Sequence, residues 1–185
     1  MRTNLMRTTL NVAILVAMTL FASACGPQTE SPSFVRVENG KFIRNSRPYS
    51  YIGTNFWYGP ILASEGEGGN YDRLVRELDT LKALGVDNLR VLVGGDGPDG
   101  VFSRIEPTLQ KEPGVYNDTI LTGLDRFLEE LGKRDMQAVL YLNNSWEWSG
   151  GYGQYLEWAG AGKALIPLVD GYAPFMAQMA QFSVN

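Results

Sequence analysis

The stretch YDRLVRELDTLKALGVDNLRVLV, residues 71–93, predicts a helix that leads directly into a buried strand. Its leucines recur at helical spacing on one face, at Leu74, Leu78, Leu81 and Leu84. Gly85 follows them as a helix stop, and Val86–Val93 (VDNLRVLV) is then a nearly continuous apolar run. Such a run is typical of a strand covered on both faces, so the fold is α/β with a parallel sheet.

The same alternation of strand and helix continues on either side of this stretch. Tyr49–Phe56 (YSYIGTNF) reads as the preceding strand, and Gln137–Leu142 (QAVLYL) reads as the following one. Between the later two strands, Asn117 is a candidate cap for a helix that ends at Gly132. That helix carries the apolar residues Ile120, Leu121, Leu124, Leu128 and Leu131. A further helix is expected from about Tyr172.

A hairpin is predicted ahead of these units. Phe34–Val37 and Phe42–Arg44 are short strand-like runs, and the segment that joins them contains Asn39-Gly40. Both of those residues tolerate the positive φ that a tight hairpin turn requires. The segments 94–116 and 143–171 are left as long loops that follow two of the strands. Loops of that length at the carboxyl ends of parallel strands are where ligands bind.

The composition excludes several kinds of chemistry. The 185 residues contain no histidine and one cysteine, which removes histidine bases, zinc-thiolate sites and intramolecular disulfides. Sixteen Lys plus Arg against 20 Asp plus Glu give a net charge of −4, which argues against a nucleic-acid partner. Carboxylates, Tyr, Lys, Arg and aromatic surfaces remain, and no cofactor or metal ion is predicted.

The first 33 residues are predicted to be a targeting signal followed by a tether. Arg2 and Arg7 precede an apolar run, Val12–Ala22, which is too short to span a membrane but suits a signal peptide. Residues 1–24 therefore resemble a bacterial lipoprotein signal, with lipid attached to the sulfur of Cys25. Plain secretory cleavage after Ala24 is the alternative. Residues 25–33 form a polar tether, and the protein is expected to be secreted and lipid-anchored in the periplasm or at the cell surface.

Two polar features of the second strand and its loop need interpretation. Gly95–Gly100 (GDGPDG) matches G-x-G-x-x-G after a strand, but Pro98 interrupts it and no helix pattern follows. A Gly-rich loop is therefore favoured over a nucleotide site.

Arg90 lies inside the run Leu89–Val93, where an unpaired cation would be costly. It is expected to be buried, either in an ion pair with a core acid or orienting a catalytic carboxylate.

Aromatic residues gather after the first and third strands. Trp57-Tyr58 follow one strand, Asn143-Asn144-Ser145-Trp146-Glu147-Trp148 follow the other, and all four tryptophans are predicted to lie in loops on one face. Aromatic rings with Asn, Glu and Arg hydrogen-bonding groups suit a sugar, although packing within the loops would also use them. Glu147 is interpreted as a loop or substrate contact, because nothing in the sequence pairs it with Asp96, Asp99 or Glu106 as glycoside hydrolysis requires.

Four ordered motifs span most of the sequence: FVRVENGKFIRNSRPYSYIGTNFWY (34–58), NLRVLVGG (88–95), Val115–Leu131 and LYLNNSWEWSGG (140–151). They resemble glycoside hydrolase family 5, and within it the bacterial β-mannanases (mannan endo-1,4-β-mannosidases). The resemblance implies a (β/α)8 TIM barrel of which residues 34–185 supply the N-terminal portion, about three βα units plus the hairpin. It also implies retaining hydrolysis of β-mannan without a cofactor.

The resemblance assigns substrate-side roles but no catalytic residue. Arg90 matches the arginine that supports the family's nucleophile, and the other expected sugar contacts are Asn55, Trp57, Tyr58, Asn143, Asn144, Trp146 and Glu147. The family's acid/base glutamate follows an asparagine as Asn-Glu-Pro on the fourth strand, and its nucleophile ends the seventh. No Asn-Glu-Pro occurs in these 185 residues, so both glutamates are expected beyond Asn185.

Three readings of the function follow. The first is an endo-β-1,4-mannosidase for which these residues hold the substrate-side strands, inactive without the catalytic pair. The second is a surface glycan-binding protein without catalysis, or an inactive remnant of the enzyme. The third is another family 5 specificity, such as an endo-β-1,4-glucanase.

Overall fold

The computed structural model describes residues 34–182, in two compact units that divide after Tyr49. The predicted signal peptide, the cysteine expected to carry lipid (Cys25) and the predicted tether of residues 25–33 all lie outside the described residues. Between residues 34 and 182, no helix is long and apolar enough to cross a membrane.

The first unit contains a small antiparallel sheet. Strand β1 (Arg36–Glu38) pairs with β2 (Lys41–Arg44), and β2 pairs with β3 (Arg47–Pro48). The turn between β1 and β2 places Asn39 at φ 50° and Gly40 at φ 72°. Both residues take the left-handed conformation that the Asn-Gly signal indicated, so the predicted hairpin is confirmed and β3 extends it.

The second unit is built on a parallel sheet of three strands, in the order β4 (Gly53–Asn55), β5 (Asn88–Leu92) and β8 (Gln137–Tyr141). Helix α2 (Tyr71–Ala83) connects the first pair of strands, and helix α3 (Asp118–Lys133) precedes the third. The fold class is therefore confirmed. The first strand is shorter than expected, although the Phe56 N–H still donates to the Arg90 carbonyl oxygen at 2.8 Å.

Both helices begin directly after an asparagine cap, which was predicted for Asn117, and pack on one side of the sheet. The Asn70 side chain accepts a hydrogen bond from the Arg73 N–H, and Asn117 accepts one from Thr119. The core between helices and sheet consists of Phe56, Leu62, Ala63, Leu74, Leu78, Val86, Leu89, Val91, Phe127, Leu131 and Met136. Leu84 was expected on this buried face but is 71% exposed, because helix α2 ends one residue before it.

A short helix missed by the sequence, α1 (Gly59–Ala63), packs closely on α3. A Cβ atom at Gly123 would lie 2.2 Å from the Pro60 carbonyl oxygen. Since no real side chain approaches a backbone oxygen so closely, only glycine lets the two helices meet there. This contact fixes the segment that follows Trp57 and Tyr58 against the core.

Both long segments contain regular structure, so their prediction as plain loops is wrong. The first holds the antiparallel pair β6 (Gln110–Glu112) and β7 (Val115–Tyr116). The second holds a 3-10 turn (Glu147–Ser149), α4 (Gly151–Trp158) and α5 (Pro167–Asp170). The expected last helix is confirmed as α6 (Tyr172–Gln181). These elements are too short or too glycine-rich for a periodic signal, which explains why the sequence did not reveal them.

The other face of the sheet is open within the described part of the chain. Each of β4 and β8 pairs with β5 alone among residues 34–182. Val139 and Leu142 are 49% and 77% exposed, although both are large apolar residues at or next to the third strand. An open edge and an uncovered face are the places where a barrel's remaining strands and interior would lie.

Candidate functional site

The candidate site lies at the carboxyl ends of β4, β5 and β8. Asn55 is the last residue of β4, and Arg90 sits beside it in the strand register. Asn143 and Asn144 come just after the end of β8. Since parallel strands end at one edge of a sheet, the fold brings three separate sequence motifs to the same place.

Arg90 is exposed, so its predicted burial is wrong. Its guanidinium carbon lies 3.8 Å from the centre of the Tyr141 ring, and its Nη1 donates to Asn55 Oδ1 at 3.5 Å. The register places Asn55, Arg90 and Val139 side by side on the open face of the sheet, away from the helix-covered core. Within residues 34–182 no carboxylate pairs with Arg90, so its partners there are an amide and an aromatic ring.

A shallow cavity of about 380 Å³ opens beside this arginine on the same face. Asn55, Arg90 and Val139 are among its lining residues. It therefore combines an amide, a cation and an apolar side chain, which is the mixture that suits a hydroxyl-rich ring. The structure thus brings together Asn55 and Arg90, two of the predicted substrate contacts.

Two tryptophans form partly exposed aromatic surfaces. Trp57, 38% exposed, makes edge contacts with Tyr58 and with Trp148, whose ring centres lie 5.2 and 5.8 Å away. Trp146, 43% exposed, stacks on Phe175 of α6 at 5.5 Å. The Trp57–Trp148 contact joins the segments after β4 and β8.

The structure corrects the placement of the other two tryptophans. Trp148 lies in the 3-10 turn and Trp158 is the last residue of α4, so not all four are in loops. Trp158 also packs edge-on against Tyr155 of its own helix, with ring centres 5.3 Å apart. Trp57 and Trp146 remain as the exposed rings that could carry a sugar face.

Tyr58 and Asn144, two further predicted contacts, already bind partners within the protein, whereas one carboxylate oxygen of Glu147 has none among the described residues. The Tyr58 hydroxyl donates to Glu77 Oε2 at 2.8 Å. Burial is the main cause that raises the pKa of Tyr58, and the Glu77 hydrogen bond adds to it. Asn144 Oδ1 accepts from the Trp146 N–H at 3.2 Å, which shapes the turn. Glu147 begins the 3-10 turn, and its Oε2 is buried without a hydrogen-bond partner among the described residues.

The remaining carboxylates of the Gly-rich loop have structural partners. Asp99 accepts from the Thr108 N–H and hydroxyl at 2.8 and 2.9 Å and pairs with Lys111. Glu106 accepts from the Gly100 N–H. No helix begins within residues 94–116, which agrees with the rejection of a nucleotide site. These contacts hold the loop in shape and leave neither group available as a partner for Glu147.

One buried polar cluster was missed by the sequence reading. Asp96, 5% exposed, lies beside Tyr155 and Arg104, and Arg104 Nη1 donates to the buried Gln154 Oε1 at 2.5 Å. Burial raises the pKa of the Asp96 carboxyl to about 6, against the opposing effects of Tyr155 and Arg104. The one sequence signal for this cluster was an acidic residue between two glycines. The structure shows why Gly97 is needed there, because its φ is 103° and a Cβ atom would lie 2.5 Å from Arg104.

The parallel strands and their helices have the architecture of the N-terminal portion of a (β/α)8 barrel, with aromatic, amide and cationic groups at the carboxyl edge of the sheet. The chain belongs to the β-mannosidase-like proteins of glycoside hydrolase family 5, whose family model matches residues 32–185. This match runs through the second unit and every site residue described above.

Relatives with curated names and solved structures agree with this family. Mannan endo-1,4-beta-mannosidase 5 of Solanum lycopersicum is 30% identical over 127 residues, covering 68% of this chain and 28% of its own. A family 5 mannosidase of Rhizomucor miehei is 33% identical, with a TM-score of 0.76, covering 82% of this chain and 38% of its own. A mutant of this fungal mannosidase was solved in complex with mannosyl-fructose, with a TM-score of 0.75 and 34% identity to this chain.

An endo-1,4-beta-mannanase of Rhizomucor miehei, 20% identical with a TM-score of 0.56, shares the fold. The chain spans between 28% and 40% of the length of each of these four relatives. The matched part holds the first three βα units.

Proposed function

We propose that this sequence provides the substrate-side strands of a retaining endo-β-1,4-mannanase. The observation that carries the proposal is the pairing of Asn55 and Arg90 at the edge of the sheet that Trp57 follows, in a chain whose plant relatives are named mannan endo-1,4-beta-mannosidases. A mannose ring has an apolar face edged with hydroxyls. Exposed tryptophan faces and amide or guanidinium groups suit those two parts of the sugar.

The chemistry expected of the family is a double displacement. One glutamic acid protonates the departing glycosidic oxygen while a second glutamate attacks the anomeric carbon, and water then releases the covalent glycosyl intermediate. Both glutamates are expected beyond Asn185. The residues described here would hold the sugar chain in register and, through Arg90, keep one carboxylate charged and aligned.

Product analysis on the full-length protein tests this function. With linear β-mannan we expect internal cleavage, seen as a rapid fall in viscosity and a series of short oligosaccharides. The first product observed by proton NMR should have the β configuration at its new end, because two displacements retain it. Carboxymethylcellulose serves as the comparison substrate, and faster cleavage of it than of mannan would assign the chain to an endo-glucanase.

A second candidate is release of mannose from chain ends. The mannosidase of Rhizomucor miehei matches this chain with higher identity than the endo-mannanase of the same fungus does. Free mannose as the only early product, with little change in viscosity, would establish this alternative. Binding to mannooligosaccharides without any cleavage by the full-length protein would instead support a glycan-binding role.

We also propose that the protein is a lipoprotein anchored through Cys25. The support is the sequence alone, namely a basic start, an apolar run and the single cysteine of the chain placed after Ala22-Ser23-Ala24. We expect the native protein in a bacterial host to incorporate labelled palmitate and sediment with membranes, whereas Cys25→Ser leaves both readouts near background. Equal labelling of the two proteins would contradict the anchor.

A further inference from the structure

Tyr141 is the last residue of β8, and its place in the sheet is fixed by the strand ladder. It lies opposite Leu92 of β5, and its carbonyl oxygen accepts a hydrogen bond from the Val93 N–H at 3.1 Å. Side chains alternate between the faces of a strand, so Tyr141 shares the open face with Val139. Arg90 lies opposite Val139 and shares that face as well. The tyrosine ring is thus carried by a paired strand, two residues nearer than Arg90 to the carboxyl edge.

The guanidinium of Arg90 lies over the face of this ring. Its central carbon is 3.8 Å from the ring centre, a separation at which the negative face of an aromatic ring attracts a cation. The ring is a diagonal neighbour on the next strand, within reach of a long side chain that extends toward the carboxyl ends. The stack therefore directs the guanidinium to the edge of the sheet that Asn143 and Asn144 follow.

A ring and a carboxylate hold an arginine in different ways. A carboxylate binds the in-plane N–H groups of the guanidinium, often two at a time, and neutralises its charge. A ring contacts the flat face instead, so it leaves the in-plane N–H groups available and the charge intact. The other contact of Arg90, from Nη1 to Asn55 Oδ1 at 3.5 Å, is to an uncharged amide. Both contacts fix the guanidinium without supplying the anion that it could bind.

We propose that Tyr141 is a positioning residue, whose ring holds the Arg90 guanidinium in the plane from which its N–H groups bind the nucleophilic carboxylate. The proposal rests on the mannanase function proposed above, in which that carboxylate is expected beyond Asn185. Tyr141 acts on the reaction through Arg90. Because the ring fixes the plane of the cation in advance, the hydrogen bonds to the carboxylate need no reorientation as charge develops at the anomeric carbon.

The rate of mannan hydrolysis by full-length variants tests the role of the ring. Tyr141→Leu removes the ring but leaves an apolar side chain, so we expect kcat to fall about tenfold while KM changes less than about threefold. Tyr141→Phe keeps the ring and should keep kcat within about twofold of the wild type. Tyr116→Leu, at an exposed position of β7, is the matched control and should keep wild-type kcat and KM. A Tyr141→Phe protein as slow as Tyr141→Leu would contradict the proposal.

Coupling to Arg90 separates positioning from a general effect on the fold. Lysine has no planar group for the ring to orient, so Tyr141→Leu should lower kcat less than about threefold when Arg90 is already lysine. The same tenfold loss in that background would show that the ring acts on something other than the guanidinium. The proposal would then be wrong.

The charge distribution of the ring can also be changed while its shape is nearly kept. A phenylalanine with three ring fluorines at position 141 has a weaker negative face than ordinary phenylalanine. We expect its kcat to be about fivefold below that of Tyr141→Phe, with an unchanged Tm. Equal kcat in these two proteins would overturn the proposal, even if Tyr141→Leu does not fold. A wild-type protein that cleaves no β-mannan would overturn the proposed function instead.

Discussion

Replacing Arg90 with lysine is expected to lower kcat for mannan hydrolysis by the full-length protein about 100-fold, while KM changes less than about threefold. Lysine keeps the positive charge but loses the planar group that stacks on Tyr141 at 3.8 Å and reaches Asn55. An ammonium on a flexible stem holds a nearby carboxylate less rigidly. The loss should therefore fall on the chemical step rather than on binding.

Thermal unfolding separates this effect from damage to the fold. Arg90 makes no ion pair within residues 34–182 and lies on the open face of the sheet, so Arg90→Lys should shift the Tm by no more than about 3 °C. Arg76→Lys, at an exposed position of helix α2, is the matched control and should keep full activity. Wild-type kcat in Arg90→Lys would remove Arg90 from the proposed site.

The helices and the parallel order of the strands could be predicted because their signals are local. Leu74 and Leu78 share one helical face, Asn117 caps its helix, and most residues of Val86–Val93 are apolar. Each signal spans one element and agrees with the packing that the structure shows. Such segments can be predicted from the sequence because their local pattern agrees with their tertiary contacts.

The environment of Arg90 could not be read correctly because it depends on which face of the strand is covered. Leu89 and Val91 point to the helices and are fully buried, whereas Arg90 points to the opposite face. The apolar residues around Arg90 do not show which face of the strand is covered. The same sequence fits a strand buried on both faces and a strand buried on one face only. The strand register, which pairs Arg90 with Asn55 and Val139, shows that the arginine lies on the uncovered face.

The Asp96 cluster was missed for a different reason. Asp96, Arg104, Gln154 and Tyr155 are separated by up to 59 positions in the chain and belong to the loop after β5 and to helix α4. No periodicity links the loop residues to the helix residues. Only the packing of residues 94–116 against α4 brings the four together, which is tertiary information.

A polypeptide of residues 25–185 is expected to release no reducing sugar from β-mannan above the blank. Two carboxyl groups must flank the scissile bond, about 5 Å apart in retaining enzymes. Glu147 lies next to Trp146 and Trp148, and its Oε2 is buried at the 3-10 turn without a hydrogen-bond partner among the described residues. The family's Asn-Glu-Pro motif is absent from these residues. Loss of the covalent step should remove essentially all catalysis, and the full-length protein assayed on the same substrate is the control.

The same polypeptide is also expected to unfold without a cooperative transition in calorimetry. Ile52, Val139 and Leu142 are 61%, 49% and 77% exposed, and β4 and β8 have one pairing edge each that the described residues leave open. Sheets with open edges and an uncovered apolar face associate rather than remain folded monomers. A sharp reversible transition in the monomer would show that these strands fold by themselves. Measurable mannan hydrolysis that is abolished by Glu147→Gln would move the catalytic assignment back to a residue within this sequence.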